Sequence, residues 1–234
     1  MPTVLGVDGC RGGWIAAIHD LRSHRCTVAL YASFAELVAA HADAAVIATD
    51  IPIGLSDAEP RLADIEARRF LGRRGSSVFP APCRAALDAP SYAEACARSQ
   101  AASGKKISKQ TDAIRGKIRE VDVLLRSDPS LRTRVVEVHP EVSFAVLNGG
   151  VPMTQVKKRT EGQQERLAVL PAMSRAAFAE ARCQWLRRVV ATDDILDALV
   201  AMWSAERIHA GTARSFPPPP LRLDSVGLPM RILA

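Results

Sequence analysis

The sequence lacks the features of several large protein classes. No apolar stretch is long enough to span a bilayer, so we expect no membrane partner. The five cysteines are odd in number and lack the Cys-x-x-Cys spacing of metal sites, which predicts reduced thiols of a cytoplasmic protein. No internal repeat is present, and Met1–Thr3 leads directly into an apolar run, so we expect no signal peptide.

What remains is the composition of an ordinary globular protein. Hydrophobic residues make up 48% and charged residues 24% of 234 residues, enough chain for a sizeable core. The length suits one large domain or two small ones, and we predict a single domain over residues 1–234. The net charge of +6 permits nucleic-acid binding but does not require it.

An apolar run that ends in an aspartate opens the chain. Val4–Asp8 is followed by the glycine-containing turn Gly9–Gly13 and by a second apolar run, Trp14–Ile18. This pattern predicts two strands joined by a tight turn, with the Asp8 carboxylate at the edge of the sheet. A hairpin with a solvated aspartate is the alternative, because one Asp-Gly turn is a weak signal.

A second aspartate, Asp50, follows the continuously apolar run Ala44–Thr49. Apolar residues on both faces predict a central, parallel strand. A third strand is predicted at Thr27–Tyr31, and a helix with a capping-box pattern at Ser33–His41. If the first and fourth strands are parallel neighbours, Asp8 and Asp50 lie at the same edge, outside which ligands bind in such sheets.

Residues 57–127 are predicted to be mainly helical, because apolar residues repeat at helical spacing from Ile114 to Leu125. Two loops in this stretch are rich in basic and small residues, a composition suited to phosphate groups. The candidate substrate-binding residues in these loops are Arg73, Arg74, Ser76, Ser77 and Lys109. Exposed basic loops that bind no ligand are the alternative interpretation.

Three further acidic residues lie near the ends of later elements. Glu137 is near the end of a predicted strand, Thr133–His139. Asp194 and Asp197 are three residues apart near the start of the last helix, which places them on one face. The alternative interpretation is that one of Thr192, Asp193 or Asp194 merely caps this helix. Asp197 lies among apolar residues, where an unpaired carboxylate is costly.

Other polar or amphipathic parts of the chain give little or no indication of a site. Lys157-Lys158-Arg159 is interpreted as a solvated or phosphate-facing turn before a helix. Ala176–Val190 is amphipathic, and nothing in it indicates a site. A histidine in the position of His139, two residues after Glu137, more often holds a loop by hydrogen bonds than binds a metal.

The chain resembles the ribonuclease H-like superfamily, and its whole length resembles a family of predicted RNase H-like nucleases. The motifs are Gly6–Trp14, Thr49–Leu55, Arg73–Pro80, Glu137–Glu141 and Asp193–Ala198. The Asp-x-x-Asp-Ala pattern of the last motif is similar to the acidic pair of RuvC-type Holliday-junction resolvases. The resemblance implies an α/β fold with a mixed five-stranded sheet flanked by helices, and a helical insertion over residues 57–127 between strands four and five.

The resemblance also implies roles for the acidic residues. Asp8 would lie on the central strand, and Asp50 would replace the second acid, which is typically glutamate in resolvases. Asp194 or Asp197 would supply the acids of the last helix. Glu137 has no counterpart in the resemblance and is included for its position on its strand.

The resulting hypothesis is a nuclease that hydrolyses phosphodiesters of DNA or RNA with Mg²⁺ or Mn²⁺. Carboxylate oxygens suit these ions, and carboxylates from different strands suit a pair of metals. The predicted catalytic residues are Asp8, Asp50, Glu137, Asp194 and Asp197, and all except Glu137 are predicted metal ligands. The alternatives are a nucleotide-binding phosphotransferase, with Asp8–Gly13 around a phosphate, and a catalytically silent nucleic-acid-binding protein of the same fold.

Overall fold

The computed structural model describes residues 3–234, which include a mixed five-stranded sheet of order β3-β2-β1-β4-β5. Its strands are β1 Thr3–Cys10, β2 Gly13–Asp20, β3 Arg25–Tyr31, β4 Val46–Thr49 and β5 Val135–Glu137. The β1–β2 and β2–β3 pairs are antiparallel, whereas β1–β4 and β4–β5 are parallel. The predicted α/β class, the mixed sheet and the parallel pairing of the first and fourth strands are confirmed.

Helices connect and follow these strands. They are α1 Phe34–Ala40, α2 Leu62–Leu71, α3 Arg84–Leu87, α4 Tyr92–Ser103, α5 Lys109–Ser127, α6 Pro140–Leu147, α7 Thr160–Val169, α8 Ala172–Ala181 and α9 Thr192–His209. Short 3₁₀ helices occupy Gly72–Ser77 and Pro129–Thr133, and two short strands follow, β6 Ser215–Phe216 and β7 Ile232–Leu233. No helix within residues 3–234 combines the length and apolarity needed to cross a membrane.

The chain divides into two compact units. The first contains residues 3–50, 133–214 and 233–234, and the second contains residues 51–132 and 215–232. The second unit consists mainly of helices α2–α5, and within it Arg84 pairs with Asp122 and Asp224. The assignment of the whole chain to one domain with 57–127 as an insertion stays a prediction.

Within the first unit, helix α9 packs directly on the central strand. A Cβ atom on Gly6 of β1 would lie 1.8 Å from the backbone nitrogen of Met202 and 2.2 Å from the carbonyl oxygen of Ala198. Only glycine allows the helix backbone this close to the strand. Since side chains at alternate positions share a face, Asp8 points to the same side of the sheet as the Gly6–α9 contact.

Strand β2 shows how the sheet is covered on both faces. Ile15 and Ala17 belong to a buried cluster that includes residues of α8 and α9. Trp14, on the opposite face, contacts Phe34 of α1 edge to face, with ring centroids 4.9 Å apart. The alternation of β2 therefore matches a sheet between two helical layers.

Candidate functional site

Four aspartates of the first unit converge at the carboxyl ends of β1 and β4. Asp8 lies one residue beyond the last β1–β4 pair, Val7–Thr49, and Asp50 directly follows β4. Ala48 packs in the same buried cluster as Ala201 of α9, so strand alternation turns Asp50 towards the helix as well. Asp8 is only 8% exposed.

Helix α9 brings the other two aspartates to this edge. Asp194 accepts a hydrogen bond from the backbone N–H of Ala191 at 2.8 Å. One of its oxygens therefore caps the helix, as the capping alternative predicted. Asp197 is 1% exposed, and its Oδ1 has no hydrogen-bond partner among residues 3–234. One side chain thus stabilises the helix start, while the other presents a buried oxygen at the acidic cluster.

Lys157, from the segment between α6 and α7, pairs with one of these carboxylates. Its Nζ donates to Asp197 Oδ2 at 2.5 Å, and its side chain is 37% exposed. The sequence suggested only a solvated or phosphate-facing turn here, because the partner is forty residues away and no local pattern marks the pair. A partly exposed ammonium group on a buried carboxylate is available to a bound anion.

Helix α7 holds the segment that contains Lys157. The carboxylate of Glu165 accepts hydrogen bonds from the N–H groups of Thr154 and Gln155 at 2.8 and 2.9 Å. A Cβ atom on Gly162 would lie 2.1 Å from the carbonyl oxygen of Val156, so the helix and the segment are in backbone contact. The position of Lys157 is therefore imposed by its neighbours.

A buried arginine of α7 also stabilises the contact between α7 and the Lys157 segment. Arg166 is completely buried and donates to Glu141 of α6 at 2.5 Å and to the carbonyl oxygens of Gln155 and Gly162 at 3.2 and 2.9 Å. Its guanidinium also lies over the Phe144 ring, 5.7 Å from the centroid. The pairing with Glu141 offsets the cost of burying the charge.

The electrostatics of the cluster follow from burial and from carboxylate repulsion. Burial, together with repulsion from Asp50 and Asp197, raises the pKa of Asp8 well above its usual range. Burial also raises the pKa of Asp50 to about 6, although the nearby His139 imidazole and Lys157 favour its charged form. Burial raises the pKa of Asp194 to about 6, and the carboxylate of Asp197 raises the pKa of Lys157. Burial and mutual repulsion thus oppose the charged forms of Asp8, Asp50 and Asp194, and a bound cation would favour those forms.

The donor chemistry of the cluster fits a hard divalent cation. Its ligands would be carboxylate oxygens, and the unpartnered Oδ1 of Asp197 is one of them. Among residues 3–234, however, no group of three or more His, Cys, Asp or Glu side chains is already placed to hold a metal ion. Lys157 contributes the positive charge next to Asp197 in this arrangement.

The structure does not bring every predicted site residue to this edge. Val136 and Val138 pack in the cluster with α9, so strand alternation turns the buried Glu137 to the opposite face of β5. The predicted substrate-binding residues Arg73, Arg74, Ser76, Ser77 and Lys109 all belong to the second unit. The first four lie in the 3₁₀ helix Gly72–Ser77, and Lys109 is the first residue of α5. Their role in substrate binding stays a prediction.

Comparisons with known proteins place the chain in a family but add no function. Neither a curated protein nor a solved structure matches it. A family model described as a protein of unknown function (DUF429) matches residues 6–222, a range that includes all four aspartates and Lys157. The chain belongs to the DUF429 family.

Proposed function

We propose that the protein is a Mg²⁺- or Mn²⁺-dependent nuclease with a ribonuclease H-like first unit. The strand order β3-β2-β1-β4-β5, with β2 antiparallel to a central β1, supports the fold assignment. The observation on which the function rests is the convergence of Asp8, Asp50, Asp194 and Asp197 where the parallel strands end. Clustered carboxyl groups whose pKa values are raised by burial and repulsion, at the edge of a sheet where ligands bind, indicate a functional site.

The residues have distinct roles in this proposal. Asp8, Asp50 and Asp197 would hold the metal, with Asp194 beside them, because one Asp194 oxygen already caps α9. A bound divalent ion would supply the charge that activates water and stabilises the leaving oxygen. The ammonium group of Lys157, partly exposed, can contact a non-bridging phosphate oxygen.

The residues to which this proposal gives a role in the chemistry all belong to the first unit. Arg166 and Glu165 position the Lys157 segment, so these two residues affect a substrate only through Lys157. The site would therefore be complete within the first unit.

A catalytically silent nucleic-acid-binding protein is the second candidate. The observation in its favour is that Lys157 already neutralises Asp197, whereas no metal-holding group is preformed within the described residues. In that case the protein would fold stably with the acidic cluster free of metal.

Cleavage assays with purified protein test the first candidate. Labelled single- and double-stranded DNA and RNA are incubated with Mg²⁺, Mn²⁺ or EDTA. We expect divalent-dependent cleavage that Asp8→Asn abolishes, because this change removes a carboxylate while preserving side-chain shape. The control is Asp20→Asn at the β2–β3 turn, where the carboxylate accepts two backbone N–H groups and is remote from the cluster.

Thermal melting separates the two candidates. A metal that binds the folded protein increases its free energy of unfolding by mass action, by about 2.7 kcal/mol at a hundredfold excess over Kd, and so raises the melting temperature. The nuclease proposal expects a rise in wild type with millimolar Mn²⁺ and a smaller rise in Asp8→Asn. No cleavage with any metal, together with no metal-dependent change in melting, would favour the silent binder. Cleavage that persists in EDTA would contradict a metal-dependent nuclease.

A further inference from the structure

The segment between α8 and α9 contains an exposed, basic and partly apolar surface next to the acidic cluster. Helix α8 ends at Ala181, and α9 begins at Thr192. We call residues 182–190 the 182–190 loop. It contains three arginines and no acidic residue.

The loop is a fixed element of the first unit. Val189 and Val190 donate backbone hydrogen bonds to the carbonyl oxygen of Leu186 at 2.8 and 3.1 Å. The N–H of Gly12 donates to the carbonyl oxygen of Val189 at 2.9 Å, and a Cβ atom on Gly12 would lie 2.6 Å from the Val189 side chain. The loop therefore packs against the β1–β2 turn, just beyond Asp8, and continues directly into the helix of Asp194.

Several side chains of this loop are exposed and make no polar contact within the described chain. Arg182, Arg187 and Arg188 are exposed, as is Arg11 on the adjoining turn. None of these four guanidinium groups has a hydrogen-bond or salt-bridge partner among residues 3–234. Leu186 is 62% exposed, the largest value among the exposed large hydrophobic residues of the described chain. Arginines without partners and an exposed apolar side chain indicate a surface that binds an anionic, partly apolar ligand.

Trp185 adds a flat apolar group at the centre of the loop. Its ring is only partly buried and packs against the core beneath, so its orientation is constrained. Single strands of nucleic acid bind to surfaces that combine cationic groups for phosphates with aromatic side chains on which unpaired bases stack. Paired bases in a duplex are already stacked and cannot use Trp185 in this way.

We propose that the 182–190 loop and Arg11 bind a single strand of DNA or RNA and lead it to the acidic cluster. Phosphates contact Arg11, Arg182, Arg187 and Arg188, and a base contacts Trp185 and Leu186. This inference rests on the proposed function for what happens at the cluster, and it names the substrate class as single-stranded nucleic acid. An anionic membrane is disfavoured, because one exposed leucine offers little apolar area for insertion.

Binding is measured by fluorescence anisotropy with labelled single-stranded DNA and RNA of about 20 nucleotides, longer than typical single-strand sites, and with the matching duplex. All variants carry Asp8→Asn and are kept in EDTA, so that binding is separated from cleavage. The test variant is Arg187→Ala/Arg188→Ala. The control is Arg22→Ala/Arg25→Ala, which removes two exposed arginines, one in the β2–β3 turn and one at the start of β3, at the other end of β2.

We expect the test variant to bind single strands at least about tenfold more weakly than the control at moderate salt. Each lost phosphate contact reduces the slope of log K against log salt by about 0.7 for single strands, so the slope should fall by about 1.4. Leu186→Glu, a change at an exposed position, should weaken binding without lowering the melting temperature. The Asp8→Asn parent, with the loop unchanged, should bind single strands more tightly than duplex.

Equal affinity and salt slope in the test and control variants would overturn the inference. Binding to vesicles of phosphatidylcholine and phosphatidylserine, without binding to oligonucleotides, would overturn it as well. If wild type cleaves with Mn²⁺ while the loop variants bind normally, the loop inference fails and the nuclease proposal stands. If the loop variants lose binding while wild type cleaves nothing, the surface stands and the nuclease proposal fails.

Discussion

Replacement of Asp50 by asparagine should stabilise the metal-free protein at neutral pH. Burial raises the pKa of Asp50 to about 6 from its ordinary value of 3.8. The folded state therefore holds a proton on Asp50 more tightly than the unfolded chain does. The stability that the protonated group provides at low pH is lost as pH rises through about 6. The ionised group therefore lowers the free energy of unfolding at pH 7.

The size of the effect follows from the two pKa values. The difference between about 6 and 3.8 corresponds to at most about 3 kcal/mol. Asp50 retains some solvent contact, which screens its charge, so we expect Asp50→Asn to gain about 1–2 kcal/mol at pH 7. For a chain of this length that gain raises the melting temperature by roughly 2–8 °C.

Melting is followed by circular dichroism in EDTA at pH 7, 5 and 4. The gain should fall to roughly half at pH 5 and to about a fifth at pH 4, because the unfolded chain then also binds a proton on Asp50 in a growing fraction of molecules. Asp20→Asn is the matched control, since backbone N–H groups of Arg22 and Ser23 lower the pKa of Asp20 and the variant should gain nothing. An Asp50→Asn variant that melts below wild type at pH 7, or gains equally at all three pH values, would refute the reasoning.

Two further predictions concern the Lys157 segment. Gly162→Ala should destabilise the protein by about 1–3 kcal/mol, because its Cβ would lie 2.1 Å from the Val156 carbonyl oxygen. Gly116→Ala in α5, where a Cβ atom would meet nothing within 4 Å, should instead stabilise the protein by about 0.4–1 kcal/mol. Urea titrations of both glycine variants measure these changes. Lys157→Met should cost at least about 1 kcal/mol, because it leaves the Asp197 carboxylate buried without its cation. The double variant with Asp197→Asn should recover most of that loss; a double variant as unstable as Lys157→Met would show that the lysine acts by packing alone.

Local patterns in the sequence were sufficient for the order of elements around the site. The apolar run before Asp50 predicted a buried parallel strand, and β4 is such a strand between β1 and β5. The Ser33 capping-box pattern predicted the start of α1, where Ser33 accepts from the N–H of Glu36. Each of these signals arises from neighbouring residues, whose spacing alone determines which face or end they occupy.

Two features of the site could not be predicted in this way. The last strand of the sheet contains Glu137 between two valines, and the sequence did not tell which face α9 would cover; the structure places the valines towards α9. The segment Ala176–Val190 is amphipathic throughout, yet α8 ends at Ala181. The remainder is bound instead to the β1–β2 turn, a partner far away in the chain.

The sequence by itself determined that an aspartate ends each of two buried strands, because hydrophobic periodicity is a local property of the chain. The tertiary structure made these strands parallel neighbours. The tertiary structure decided which charges meet there. The contact of Gly6 with α9 brings Asp197 to Asp8, and the contacts of α7 bring Lys157 to Asp197. Both depend on backbone segments that approach each other only after folding, at distances along the chain where residue type alone gives no indication of the partner.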